Sequence, residues 1–385
     1  MEALEYLDSV RAAHPELSDW CNSLSDLYQM KFWENLNYEI LRFVFLPHFQ
    51  TGEDLIPLYH NFIIHFETEI HPLTIAFIAA KVSNRYPERE TGIDYLKGVI
   101  ERLQSTNHTQ VEETVIFINM QIAIFNLEKG NHKECRNLLD SGKTTLDRMI
   151  GVDPSVYSHY YWALCQYNAF QQDPDEFYKN IILSLAYISL ESLSESHKLD
   201  IVFHLTVSAM SGENIYNFGE LLEHPIIQGI LGSPNEWFYH IIEAFNSGNI
   251  VRYQELYSVH KAILGSKSAL EKNEKLAEKI NILWLMEYFF SRPPKDRIIQ
   301  LTIIAELMKV TVRDVEHLLM KSLSADLMEG VIDEVDGTVH VTWVRPRYLG
   351  ITQIKYLRHQ LANWLGKVQG VITSVETLTP ELEEL

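Results

Sequence analysis

The chain has 385 residues, enough for two or three units of roughly 150 residues each. Its 52 Asp and Glu against 32 Lys and Arg give a formal net charge of −20, which disfavours a polyanionic partner, and the sparse Gly and Pro suit long helices with short turns. No apolar run reaches the roughly 18 residues a membrane span needs, Met1 to Val10 lacks the basic cluster of a signal peptide, and three scattered cysteines without metal-ligand spacing fit a reduced cytoplasmic or nuclear setting.

From about residue 20 to residue 290 the apolar spacing is helical nearly throughout. Turn signals fall near Tyr86-Pro87, Gly130-Asn131, Asp173-Pro174, Ser211-Gly212 and Gly248-Asn249. They recur at roughly 40 residues, the length of one helical hairpin in an α-solenoid. In Gly130-Asn131 and Gly248-Asn249 the glycine can take a left-handed C-cap and the asparagine can start the next helix. Such arrays present extended surfaces to other proteins. A helix near Glu271 to Phe290, rich in Leu, Trp and Met, is expected to pack on whatever follows it, with Arg292-Pro293-Pro294 closing it.

This region offers little chemistry. Gly142-Lys143-Thr144-Thr145 looks like the end of a phosphate-binding loop, but Asn137 stands where the first glycine belongs and Cys135 to Leu139 reads as helix. The 16 histidines form no His-Glu-x-x-His pair. His14-Pro15, His71-Pro72 and His224-Pro225 read as helix boundaries. No catalytic residue, metal or cofactor is expected.

After residue 298 the pattern changes. Leu301, Ile304, Ala305 and Met308 make a short helix, Lys309 and Val310 a turn, and Thr311 with Asp314 a capping box for a second helix that buries Val315, Leu318, Leu319 and Leu323. Two alternating strands follow, near Val331 to Val335 and Val339 to Val344, around Asp336-Gly337. Helix, turn, helix and hairpin make a winged helix. The second helix sets Arg313 and Lys321 against Asp314, Glu316 and Asp326, a poor phosphate reader, so a protein-docking block is the favoured use.

Beyond the wing, Ile354, Leu357, Leu361, Trp364, Val368, Val371, Val375 and Leu378 alternate in steps of three and four, an a/d seam over more than three heptads. Gly366, Gly370 and Thr373 weaken its intrinsic helicity, so its later turns are expected to form against partner helices. Folding back on the chain's own helices is the alternative. No Asp or Glu occurs between Gly337 and Val375, where Arg345, Arg347, Lys355, Arg358 and Lys367 form a basic flank suited to an acidic neighbouring subunit or to RNA.

Helical repeats ending in a protein-binding winged helix resemble the PCI family, named for proteasome lid, signalosome and translation initiation factor complexes. Tyr216 to Pro225, Ala244 to Gln254, Leu285 to Pro293 and Val331 to Arg347 look like stretches of a PCI subunit of the proteasome lid, with Leu58 to Ile63 extending the likeness. The resemblance implies a mainly α fold, a solenoid of helical hairpins followed by a winged-helix module and a long C-terminal helix. It implies a non-catalytic scaffold in a hetero-oligomer, with PCI and MPN-type lid subunits as partners and neither nucleic acid nor membrane. A subunit of a related complex, or a nucleic-acid adaptor, is the alternative.

The implied division is 1–200 for helical repeats, 201–350 for a PCI domain (helical to 294, winged helix from 295) and 351–385 for a bundle helix with an acidic tail. The resemblance also makes strand Val339 to Val344 an assembly edge and the heptad a bundle helix. Candidate partner-binding residues are Val339, Val341, Trp343, Arg345, Arg347, Ile354, Leu357, Arg358, Leu361, Trp364 and Val368. A proline at Val341 is expected to impair docking while leaving the fold intact.

Overall fold

The computed structural model describes residues 3–46, 48–51, 54–105, 111–264, 273–348 and 351–378. The chain divides into two compact units, Met1–Ser192 and Leu193–Leu385. Among the described residues the fold is mainly α, with one sheet of three strands.

The first unit is built of helical hairpins. Pro72–Ser83 precedes Arg89–Gln104, Val111–Glu128 precedes His132–Leu146, and Pro154–Gln171 precedes Pro174–Ala186. Their turns follow from local chemistry. Gly130 takes φ +84°, which only glycine adopts cheaply, and Asn131 opens the next helix, although its side chain makes no capping bond. Asp173 does cap, accepting from the Glu176 amide, and Pro174 occupies the first turn, where a missing N–H costs nothing. Phe43, Tyr59, Phe62, Phe66 and Phe125 are fully buried in the core. Buried Glu67 is neutralised by Arg102, whose Nε lies 3.2 Å from Oε2 and whose Nη2 donates to the Tyr59 hydroxyl at 3.1 Å.

The phosphate-loop lookalike lies inside the helix His132–Leu146, where Thr144 and Thr145 both donate to the Ser141 carbonyl. A Cβ on Gly142 would come within 2.8 Å of Met120 Cε, so this glycine serves close helix packing.

The second unit opens with Glu195–Ser211, Trp237–Ser247, Ile250–Leu264 and Asn273–Phe290 as its main helices. Gly248 takes φ +67° and a Cβ there would meet Trp284 Cα at 2.5 Å, while Asn249 caps the next helix through the Arg252 amide at 3.0 Å. Buried Lys279 donates to the carbonyls of Ala209 at 2.7 Å and Gly212 at 2.5 Å, satisfying groups that the helix end leaves open.

The winged helix follows. Leu301–Met308 and Val312–Ser324 are joined through Lys309 at φ +57°, and the capping box is present, with Asp314 N to Thr311 Oγ1 and Thr311 N to Asp314 Oδ2 both at 3.2 Å. The strands are β1 (Ile298–Gln300), β2 (Met328–Asp333) and β3 (Thr338–Val344), in antiparallel order β1-β3-β2. β2 begins before its sequence-based start because Met328 and Glu329 pair with Val344 and Trp343. It ends at Asp333 because that side chain accepts from the amides of Val335 and Asp336 and starts the turn.

A bulge at Gly330 is obligatory for glycine, since a Cβ would lie 2.4 Å from the His340 carbonyl oxygen. The helix Asn273–Phe290 does pack on this module. Its Glu278 meets Lys321 at 2.8 Å and its Glu287 meets Arg347.

Candidate protein-docking surface

The sheet corrects one expectation. Strand 339–344 is not a free edge along its length: β3 lies between β1 and β2, and β1 covers it as far as Val341. Ile299 pairs with Val339, and the Val341 amide donates to the Arg297 carbonyl at 3.1 Å. A three-residue strand is too short to show alternation, which is why β1 was missed in the sequence. Val339 and Val341 are buried, Val341 to 1% exposure, so their side chains hold the winged helix together and face no partner. Beyond Arg297 the β1 pairing ends, and Trp343 pairs with Glu329 of β2.

The outward face is set by register. Ile298 of β1, His340 of β3 and Val331 of β2 form one row across the sheet, and all three are exposed, Ile298 to 60% and Val331 to 67%. Both edges thus carry an apolar side chain beside main-chain groups able to pair with a further strand.

Arg347 is likewise turned inward. Its Nη1 donates to the Asn246 carbonyl at 3.0 Å and its Nη2 pairs with Glu287. Burial pulls its pKa down, against the opposing pull of Glu287, so the guanidinium is tied within the unit and does not join the outer basic flank. Arg345, Lys355, Arg358 and Lys367 remain exposed. On the second helix of the winged helix, Lys321 is already paired with Glu278, which leaves that helix still less suited to phosphate.

The C-terminal helix runs unbroken over Ile351–Leu378, through both glycines. Ile354, Leu357, Leu361, Trp364, Val371 and Val375 are all exposed, Leu361 to 56% and Trp364 to 65%, and Val368 is half-buried. Among the described residues these seam side chains are therefore left largely open to solvent. The side chain of Leu378 and the acidic tail at 379–385 lie outside the described residues.

Two residues were missed. Leu365 and Ile372, each four positions after a seam residue, are also exposed and broaden the stripe to a third heptad position. Their spacing from Leu361 and Val368 was the available signal. Exposed apolar side chains thus occupy the a, d and e positions of this helix among the described residues.

Residues 20–242 match the family model described as PSD13 N-terminal repeats, and residues 260–343 match that of the PCI domain. The chain is 54% identical over 383 residues to 26S proteasome non-ATPase regulatory subunit 13 homolog B of Arabidopsis thaliana, covering 99% of both chains. It belongs to the family of proteasome non-ATPase regulatory subunit 13. The family member of Dictyostelium discoideum is 32% identical over 98% of both chains. Eukaryotic translation initiation factor 3 subunit M of Coccidioides immitis matches only 52% of this chain, at 26% identity. That partial likeness ranks the initiation-factor alternative below membership of the subunit 13 family.

Proposed function

We propose that this chain is a non-catalytic scaffold of the proteasome regulatory-particle lid, taking part in ubiquitin-dependent protein degradation. It would join PCI and MPN-type subunits into a hetero-oligomer, with 201–350 as its PCI domain, in cytoplasm and nucleus. The observation that carries this reading is the exposed a/d/e face between Ile354 and Val375 of the C-terminal helix. An a/d stripe alone serves a single partner helix, whereas Leu365 and Ile372 broaden it enough for more than one, as a bundle requires.

The sheet edges β1 and β2 supply a second mode of docking by strand addition. Exposed Arg345, Lys355, Arg358 and Lys367 favour an acidic neighbour. Affinity capture of the tagged full chain followed by mass spectrometry tests the reading. Regulatory-particle subunits in stoichiometric amounts are the expected result; recovery of RNA or of another PCI complex in their place would refute it.

A further inference from the structure

Three His-Pro pairs open helices in this chain, and they do not behave alike. The ring Nδ1 of His71 accepts from the Leu73 amide at 3.3 Å, and that of His224 accepts from the Ile226 amide at 3.3 Å, each capping its own helix. His14, ahead of the short helix Pro15–Leu17, makes no such bond. Its ring meets that of His48 instead, with centroids 4.4 Å apart at 66°. Asp54 repeats the departure: it stands at the N-cap of Leu55–Asn61, a favoured place for a capping aspartate, yet its side chain caps nothing. Its Oδ2 lies 3.5 Å from His48 Nε2.

We propose that His14, His48 and Asp54 form a site for a divalent first-row transition ion, zinc foremost. One donor atom from each lies within 4.8 Å of the others. Adjacent ligands of a tetrahedral zinc ion are separated by about 3.3 Å, given bonds of roughly 2.0–2.1 Å. The His48–Asp54 separation is already near that value, and closing the rest takes a rotation of the His14 ring together with the exposed Asp54 carboxylate. Two imidazoles and one carboxylate suit zinc and leave a fourth position for water.

The other ring nitrogen of His48, Nδ1, faces Glu16 Oε1 at 3.8 Å. A carboxylate behind a metal-bound imidazole is the usual arrangement that orients the ring, so Glu16 is the positioning residue. The ion would tie the connection after Ala3–Ala13 to the segment that leads into Leu55–Asn61, stiffening the N-terminal end of the first unit.

Titration of the full chain with zinc by calorimetry, and with cobalt followed by visible absorption, tests the site. The expected result is one equivalent bound with Kd below about 10 µM, with cobalt d–d bands and no thiolate charge-transfer band. Asp54→Asn, a surface change that the fold should tolerate, and His48→Ala should each weaken zinc at least about 10-fold, and Glu16→Gln about 10-fold. Saturating zinc should raise the melting temperature of the unaltered chain by several degrees and leave that of the His48→Ala variant unmoved. Zinc affinity unchanged in Asp54→Asn and His48→Ala, weak binding of several equivalents, or a cobalt–thiolate band would each overturn the assignment.

Discussion

Arg347 and Glu287 are paired across 60 residues of sequence, joining the segment that follows the wing to the helix that precedes it. The same guanidinium donates to the Asn246 carbonyl, so one side chain ties the segment after the wing to two helices of the second unit. Arg347→Ala is expected to destabilise that unit by about 1–3 kcal/mol, discounted from a fully buried pair because Glu287 keeps partial solvent exposure. Arg347→Lys should recover only part, since one ammonium cannot serve both acceptors as the planar fork does. Thermal unfolding, with Glu287→Ala completing a double-mutant cycle, measures the coupling; additive losses would deny it.

Val341→Pro should unfold the winged helix as well as impair docking. It removes the amide that bonds Arg297 and places a ring at a buried position of the central strand. A loss of about 3 kcal/mol or more is expected. Hydrogen exchange confined to β1–β3 and the two helices of the module would report it, and a melting curve like that of the unaltered chain would contradict the central placement of β3.

Leu361→Ala with Trp364→Ala should behave in the opposite way. Both side chains are more than half exposed, so each truncation should change the stability of the isolated chain by within about 0.5 kcal/mol. The cost appears on association, where a buried Leu or Trp contributes about 2–5 kcal/mol. Raised salt should deepen the defect, because contacts of Arg358 and Lys367 with an acidic neighbour are screened. A large drop in the melting temperature of the free chain with capture of partners intact would show that the helix has a covered face after all.

Gly366→Ala and Gly370→Ala should strengthen the free helix. A Cβ at either position meets nothing within 4 Å, so only the conformational effect remains, about 1 kcal/mol per site. Helical circular dichroism and slower exchange of the amides after residue 366 should both register it. If association with partners falls while helicity rises, the glycines admit a closely packed helix; otherwise they merely limit order.

His159 is expected to make the first unit acid-sensitive. Its ring stacks on Phe117 at 4.1 Å, and although the residue keeps some surface exposure, its Nε2 is enclosed without a partner. Burial lowers its pKa to about 4. The unfolded chain therefore binds the proton more readily, so the stability conferred by the neutral ring is full above the unfolded value, roughly 6.5, and is lost as pH falls toward about 4. His159→Phe should flatten the pH dependence of melting over that interval. An unchanged slope would place the acid sensitivity elsewhere.

Local chemistry was legible in the chain itself. The capping box of Thr311 and Asp314, the left-handed turns at Gly130 and Gly248, and the apolar periods of the winged helix and final helix all depend on residues within a few positions of one another. The stripe from Ile354 to Val375 likewise points to partners, because its length exceeds what a winged helix covers. Tertiary structure decided which groups face outward.

Strand 339–344 reads as a free edge until Ile298–Gln300, some 40 residues earlier, is seen to occupy its flank, and three residues carry too little alternation to announce that pairing. Arg347 reads as one cation of a basic flank until Glu287 and the Asn246 carbonyl are brought to it. The three His-Pro pairs read alike, and only packing separates the two that cap their own helices from His14, which meets His48. The physical reason is common to all three. Periodicity records which side chains avoid water, whereas the partner of a polar group or a strand edge is set by long-range closure of the chain, which leaves no local periodic trace.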